Sequence, residues 1–136
     1  MLNTVLFIDD DPITLMLCKM VIKKASFSNE IITAKNGEEA LQYFDMLKQN
    51  NSDREKLKNL PQLIFLDLNM PVMGGWEFLD SFSTNDYSDY NNIKVIILSS
   101  TIDPEDLEKS KKYSMILDFI SKPITKEILE FIKSKI

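Results

Sequence analysis

The stretch VLFIDDDPITLM, residues 5–16, decides how the chain is read. Four apolar residues, Val5 to Ile8, run directly into Asp9, Asp10 and Asp11, and Pro12 opens a second apolar stretch. A short apolar run bounded by polar residues reads as a buried strand, and the segment after Pro12 as a helix. Asp11 and Pro12 are accounted for by helix initiation, because Asp caps free backbone N–H groups and Pro suits the first helical turn. Asp9 and Asp10 are not. Adjacent carboxylates repel one another, and keeping them ionised beside an apolar core is costly unless a cation sits among them. At this stretch two readings stay open, a solvated turn and a metal site.

Strand-like and helix-like segments alternate along the rest of the chain. Val5–Ile8, Ile31–Ala34, Leu63–Leu66, Ile93–Leu98 and Ile116–Ile120 read as strands. Between and after them, Ile13–Ala25, Gly37–Lys48, Trp76–Phe82, Pro104–Tyr113 and Thr125–Ile136 read as helices. The first helix is expected to turn Ile13, Met16, Leu17, Met20 and Val21 inward. The second presents Ala40, Leu41, Phe44 and Leu47, the last Ile128, Leu129 and Ile132, and Asp103 is the expected N-cap of the fourth. Runs such as Val95–Leu98 are apolar on both faces, which marks parallel strands covered by helices on each side. Two polar stretches interrupt the rhythm. Gln49–Pro61 extends the second helix before looping back, and Ser83–Asn92 reads as a loop.

At 136 residues, 44% hydrophobic, the chain is expected to form one domain with a proper core, 1–136, and no output domain. The net charge of −5 and the lack of a Lys/Arg cluster argue against nucleic-acid binding. Lys109, Lys111 and Lys112 follow Glu105, Asp106 and Glu108 as on an ordinary solvated helix face. Cys18 is the lone cysteine, so no internal disulfide forms, and it reads as a small buried hydrophobe. The N-terminus lacks a basic secretory region and no apolar run approaches a membrane span, so a cytoplasmic protein is expected. With three glycines, none in the required spacing, a dinucleotide-binding loop is excluded.

In an open parallel sheet, ligands collect at the carboxyl ends of the strands. There the sequence places Asp9 and Asp10 after strand one, Asp67 after strand three, Ser99 and Ser100 after strand four, and Lys122 with Pro123 after strand five. Strand two ends in ordinary turn residues, Lys35 and Asn36. Carboxylates, a hydroxyl and an ammonium thus converge on one edge.

These residues sit in FIDDDP, LIFLDLNMPVMGGWEFL, VIILSS and FISKPI, and with them the whole chain resembles a response-regulator receiver domain of two-component signalling, of the chemotaxis-regulator type. The resemblance implies a flavodoxin-like doubly wound α/β fold, (βα)5, with strand order 2-1-3-4-5. It implies that Asp67 accepts a phosphoryl group, with Ser99 and Lys122 assisting. Mg²⁺ would be held by Asp10 and Asp67 directly, by Asp9 through water, and by the backbone carbonyl of Asn69, a donor set of the kind that leaves room for phosphate oxygens. Ser99 and Phe119 would form the switch. The implied partners are a sensor histidine kinase or histidine phosphotransfer protein and a downstream protein target, with a homodimer as a further option, and neither nucleic acid nor membrane. Ser100, Gly74 and Asp118 depart from the residues common in the family. The implied role is a phospho-acceptor and not an enzyme. The alternative is an aspartate-nucleophile phosphohydrolase, which Asp9 and Asp11 would suit, although Ile13 and the lack of an acidic pair after the lysine strand do not.

Overall fold

The computed structural model describes residues 1–49 and 60–136. Its strands are β1 (Leu2–Ile8), β2 (Ser28–Ala34), β3 (Leu63–Asp67), β4 (Lys94–Ser99) and β5 (Ile116–Ser121). They alternate with α1 (Pro12–Lys24), α2 (Gly37–Gln49), α3 (Gly75–Phe82), α4 (Pro104–Ser110) and α5 (Lys126–Lys135). Every pairing is parallel and the order is β2-β1-β3-β4-β5, as expected. The chain leaves β1 for one side and returns past it to β3, so the order reverses at β1. The crevice of a doubly wound sheet therefore opens between the carboxyl ends of β1 and β3.

Successive strand residues point to opposite faces, and each face has its own core. Leu6, Ile8, Ile64, Leu66, Val95 and Ile97 pack with α2 and α3, while Val5, Phe7, Leu63, Phe65, Ile96 and Leu98 pack with α1 and α5. This explains why the central strands read as unbroken apolar runs. Aromatic rings fill both layers. Phe7 stacks on Phe65 at 5.0 Å beneath α1 and α5, and Phe44 meets Phe82 at 4.7 Å on the other face.

The helix starts follow their capping residues. Asp11 accepts a hydrogen bond from the Ile13 N–H at 3.0 Å and Asp103 from the Glu105 N–H at 2.9 Å, each with Pro in the first turn. Thr125 caps α5 through the Ile128 N–H at 3.2 Å. Ala40, Leu41, Phe44 and Leu47 are buried on α2, and Leu129 and Ile132 on α5.

Apart from shifts of one residue at element ends, the sequence expectation fails in four places. The fourth helix stops at Ser110, short of Tyr113. On α1 the buried residues are Cys18 and Ile22, with Leu15, Val21 and Ala25 packed beside them, while Ile13, Met16, Leu17 and Met20 are 64%, 55%, 51% and 48% exposed. The helix is apolar around most of its girth, so periodicity alone could not choose its inner side. Next, Ser83–Asn92 contains a 3₁₀ helix, Asn85–Tyr90. Tyr87 and Tyr90, one 3₁₀ turn apart, are buried together against Phe82. Finally, β1 and β2 begin earlier than expected, paired from Leu2 with Ser28. The expected helical extension and loop in the polar insertion fall at residues 50–59, outside the described residues.

Candidate functional site: an acidic pocket at the carboxyl edge of the sheet

Each strand end delivers one piece of the site. β1 ends at Ile8, so Asp9 and Asp10 emerge where the chain turns into α1; β3 ends on Asp67 itself. One oxygen each of Asp9, Asp10 and Asp67 lies within 4.8 Å of the others, the one such acidic group among the described residues. Asp9 is 1% exposed and Asp67 is buried, while Asp10 opens to solvent. β5 supplies the cation. The Lys122 Nζ donates to Asp9 Oδ2 at 2.7 Å and stands 3.6 Å from Asp67 Oδ1. Its backbone N–H donates to the Ser99 carbonyl at 2.8 Å, which ties β5's exit to the end of β4.

Burial acts on these groups in opposite directions. It raises the Asp67 carboxyl above its ordinary value, the negative charges of Asp9 and Asp10 add to this, and the Lys122 charge only partly offsets it. Burial by itself would lower the Lys122 ammonium, but the hydrogen bond to Asp9 and the charges of Asp67 and Asp9 prevail and leave it raised. One ammonium faces three carboxylates. The pocket therefore carries surplus negative charge on hard oxygen donors, with an open side at Asp10 for water. That donor set suits Mg²⁺, which takes few carboxylates and keeps waters, and lacks the soft or imidazole ligands that other metals prefer.

The other expected residues fall around this pocket. Ser99 is buried at the end of β4, one residue beyond Leu98, the register partner of Asp67. Its hydroxyl is committed to the Thr101 carbonyl at 2.6 Å. Asn69 is exposed in the turn after β3. That turn is held by the Gly75 N–H, which donates to the Leu68 carbonyl at 2.9 Å. A Cβ at Gly75 would meet the Asp67 carbonyl at 2.7 Å, so only glycine lets α3 start so close to β3. Val72, at φ 69 and 73% exposed, occupies a left-handed position that β-branched residues avoid, on the same turn.

Phe119 stands apart from the carboxylates. It pairs with Ile97 in β4 and lies half-buried against the core of the α2 and α3 face, in company with Trp76, Tyr113 and Ile116. Asp118, beside it, accepts the Phe119 N–H at 2.8 Å and pairs with Lys135 of α5 at 3.0 Å. Sequence reasoning missed two features near the site, the outward apolar side of α1 and the contacts of Trp76. The first is masked by apolar residues on both sides of the helix. The second joins residues 30 or more positions apart, for which the sequence holds no local signal.

The response regulator receiver domain family matches residues 5–132. A two-component response regulator from Cytophaga hutchinsonii superposes with a TM-score of 0.84 at 30% identity, over 98% of this chain and 96% of that one. The chemotaxis protein CheY4 of Vibrio cholerae gives 0.72 at 25%, over 100% of both chains. The nitrate/nitrite response regulator NarL of Escherichia coli is 30% identical over 80% of this chain and 43% of its own length. The chain thus spans less than half of NarL, and 25% of a matched protein-glutamate methylesterase from Methanospirillum hungatei.

Proposed function

The chain belongs to the response regulator receiver domain family of two-component signalling, and from that membership we propose that Asp67 is its phospho-accepting residue. One observation carries the reading: Asp67 ends β3 within 4.8 Å of Asp9 and Asp10, and the Lys122 ammonium stands 3.6 Å away. A carboxylate so placed can act as a nucleophile toward phosphorus. An Asp67 oxygen attacks, the new P–O bond forms as the P–N bond of a phosphohistidine breaks, and the imidazole leaves with the electron pair. The product is an acyl phosphate on Asp67.

The remaining residues supply position and charge. Lys122 is close enough to both Asp9 and Asp67 to turn from one to the other, and it pairs with the arriving phosphoryl oxygens. Asp10, Asp67, the Asn69 carbonyl and, through water, Asp9 would hold Mg²⁺. When bound, the ion neutralises the charge that builds up between phosphoryl group and acidic pocket. Ser99 releases the Thr101 carbonyl and donates to the phosphoryl group instead, which draws along the loop leading into α4. Phe119 then fills the space beside β5, and the face formed by α4, β5 and α5 changes shape for a downstream protein or a second copy.

A protein donor, such as a histidine kinase or phosphotransfer protein, is favoured by α1. Its apolar residues Ile13, Met16, Leu17 and Met20 are exposed on the helix that Asp9 and Asp10 lead into, a surface that a small phosphodonor would leave uncovered. Among the described residues no helix is long and apolar enough to cross a membrane.

Intact-mass spectrometry after incubation with Mg²⁺ and acetyl phosphate tests the proposal. One phosphoryl group is expected on the wild type and none on Asp67→Asn. Labelling of the variant at the wild-type level would refute the assignment, and steady turnover of a panel of phosphate esters would favour the phosphohydrolase.

A further inference from the structure

Helix α4 is held to the body of the protein in an unusual way. None of its residues is buried. It lies beside β5 without an apolar inner stripe of buried residues, and its specific side-chain contacts are to α3. The indole Nε1 of Trp76, half-buried on α3, donates to Asp106 Oδ1 at 3.1 Å. The Lys109 Nζ sits 5.0 Å from the centroid of the Trp76 rings. Just past the helix, the Tyr113 ring stacks on Trp76 at 5.4 Å and 25°, and its hydroxyl donates to Asp80 of α3 at 2.6 Å. Trp76 thus meets the middle of α4 with its N–H and ring, and the segment after α4 by stacking on Tyr113.

The position of this grip matters. Asp106 lies one turn beyond Asp103 and Pro104, where the loop from Ser99 enters α4. Any displacement of that loop moves the start of α4 relative to α3. The hydrogen bond from Trp76 to Asp106 is directional and sensitive to such a shift, whereas the stacking of Trp76 on Tyr113 tolerates sliding.

We infer that Trp76 and Asp106 form a latch that holds α4 in the resting arrangement, so that phosphorylation at Asp67 must break or weaken their hydrogen bond before α4 moves. The inference rests on the reading of Asp67 as phospho-acceptor and adds to it a restraint that sets how readily the switch is thrown. A contact made only in the resting state taxes binding of any ligand that selects the other state. Removing it makes such a ligand bind more tightly.

The test uses beryllofluoride with Mg²⁺ as phosphoryl mimic, its affinity measured by calorimetry on wild type, Asp106→Ala, Asp106→Asn and Trp76→Phe. Asp106→Ala removes the acceptor. Trp76→Phe keeps a stacking ring without the N–H and leaves α4's own sequence intact, so it separates the latch from any effect of Asp106 on helix stability. Both should bind roughly two- to tenfold more tightly than wild type, the range over which one net hydrogen bond moves an equilibrium. Asp106→Asn keeps a carbonyl acceptor and should return to the wild-type value. Hydrogen exchange over residues 104–110 should rise in both latch variants before beryllofluoride is added and match wild type afterwards. Unchanged or weaker affinity in Trp76→Phe, or faster exchange that persists equally with beryllofluoride bound, would overturn the latch alone. A wild type that binds no beryllofluoride overturns the phospho-acceptor reading and the latch with it.

Discussion

Replacing Asp67 by Asn should stabilise the protein when metal is removed and leave it the less stable of the two when Mg²⁺ is present. The pocket geometry sets the sign. With an effective dielectric constant of about 20, two like charges at the outer limit of 4.8 Å repel by about 3.5 kcal/mol, and opposite charges 3.6 Å apart attract by about 4.6 kcal/mol. Asp67 faces Asp9 and Asp10 as repulsive partners and Lys122 as the attractive one, which leaves about 2 kcal/mol of net repulsion. Asp10 is exposed, so solvent screening reduces this to about 1 kcal/mol. Asn fits the same space without the charge, and Lys122 keeps its closer partner, Asp9 at 2.7 Å. For a chain of this size about 1 kcal/mol corresponds to a rise in Tm of about 4 °C.

With Mg²⁺ the order reverses. A ligand at a hundred times its Kd adds about 2.7 kcal/mol to the wild type, and the variant, short of one carboxylate ligand, binds more weakly and gains less. The pH dependence follows from the raised Asp67 value. In the folded state Asp67 keeps its proton to higher pH than in the unfolded chain, so its charge destabilises the fold only as pH rises past the unfolded value, and fully once it exceeds the folded one. The advantage of Asn in EDTA should therefore be absent in acid and complete at neutral pH. Thermal unfolding followed by circular dichroism, with chelator and with saturating Mg²⁺, measures all four combinations. An Asp67→Asn variant that gains nothing in EDTA, or gains equally with Mg²⁺, would show that the carboxylates do not form a repulsive, metal-seeking group.

Two further outcomes follow from the same pocket and its surroundings. Asp10→Ala should weaken Mg²⁺ binding more than Asp9→Ala, because Asp9 already accepts from Lys122 at 2.7 Å and from the Asp11 N–H at 3.0 Å whereas Asp10 is open to solvent; equal affinities by titration calorimetry would refute the ordering. Burial, with a smaller contribution from Asp9, pushes the Cys18 thiol up to about 11, so iodoacetamide should modify it only as fast as the protein opens, and more slowly with Mg²⁺ bound; reaction at the rate of a free thiol would contradict its burial.

The site was legible in the sequence because a parallel sheet is built from apolar runs that stop abruptly, and each stop is followed by the residue the pocket needs. Val5–Ile8 before Asp9 and Leu63–Leu66 before Asp67 place both carboxylates on one edge by topology alone. Ser99 and Lys122 follow by the same rule. What the sequence could not supply was any contact set by packing between elements. The spacing of Tyr87 and Tyr90 fits a 3₁₀ turn, but their burial depends on Phe44, remote in sequence, as well as on nearby Phe82. The link from Trp76 to Asp106 spans 30 positions and involves residue types that are ordinary on any helix.

Helix α1 is the instructive failure. Two stripes compete on it: Ile13, Met16, Leu17 and Met20 on one side, Leu15, Cys18, Ile22 and Ala25 on the other. The two are of similar hydrophobicity, so a rule that turns the more apolar side inward cannot choose between them. The fold buries the second, which packs in one layer with Phe7, Phe65, Leu129 and Ile132. The larger apolar side is left to solvent, an energetic cost that core packing does not repay. A surface of that kind persists where it is covered for part of the protein's working cycle. Its position on the helix fed by Asp9 and Asp10 fits the function proposed above, in which a donor protein seats its histidine at Asp67 and covers this surface during transfer.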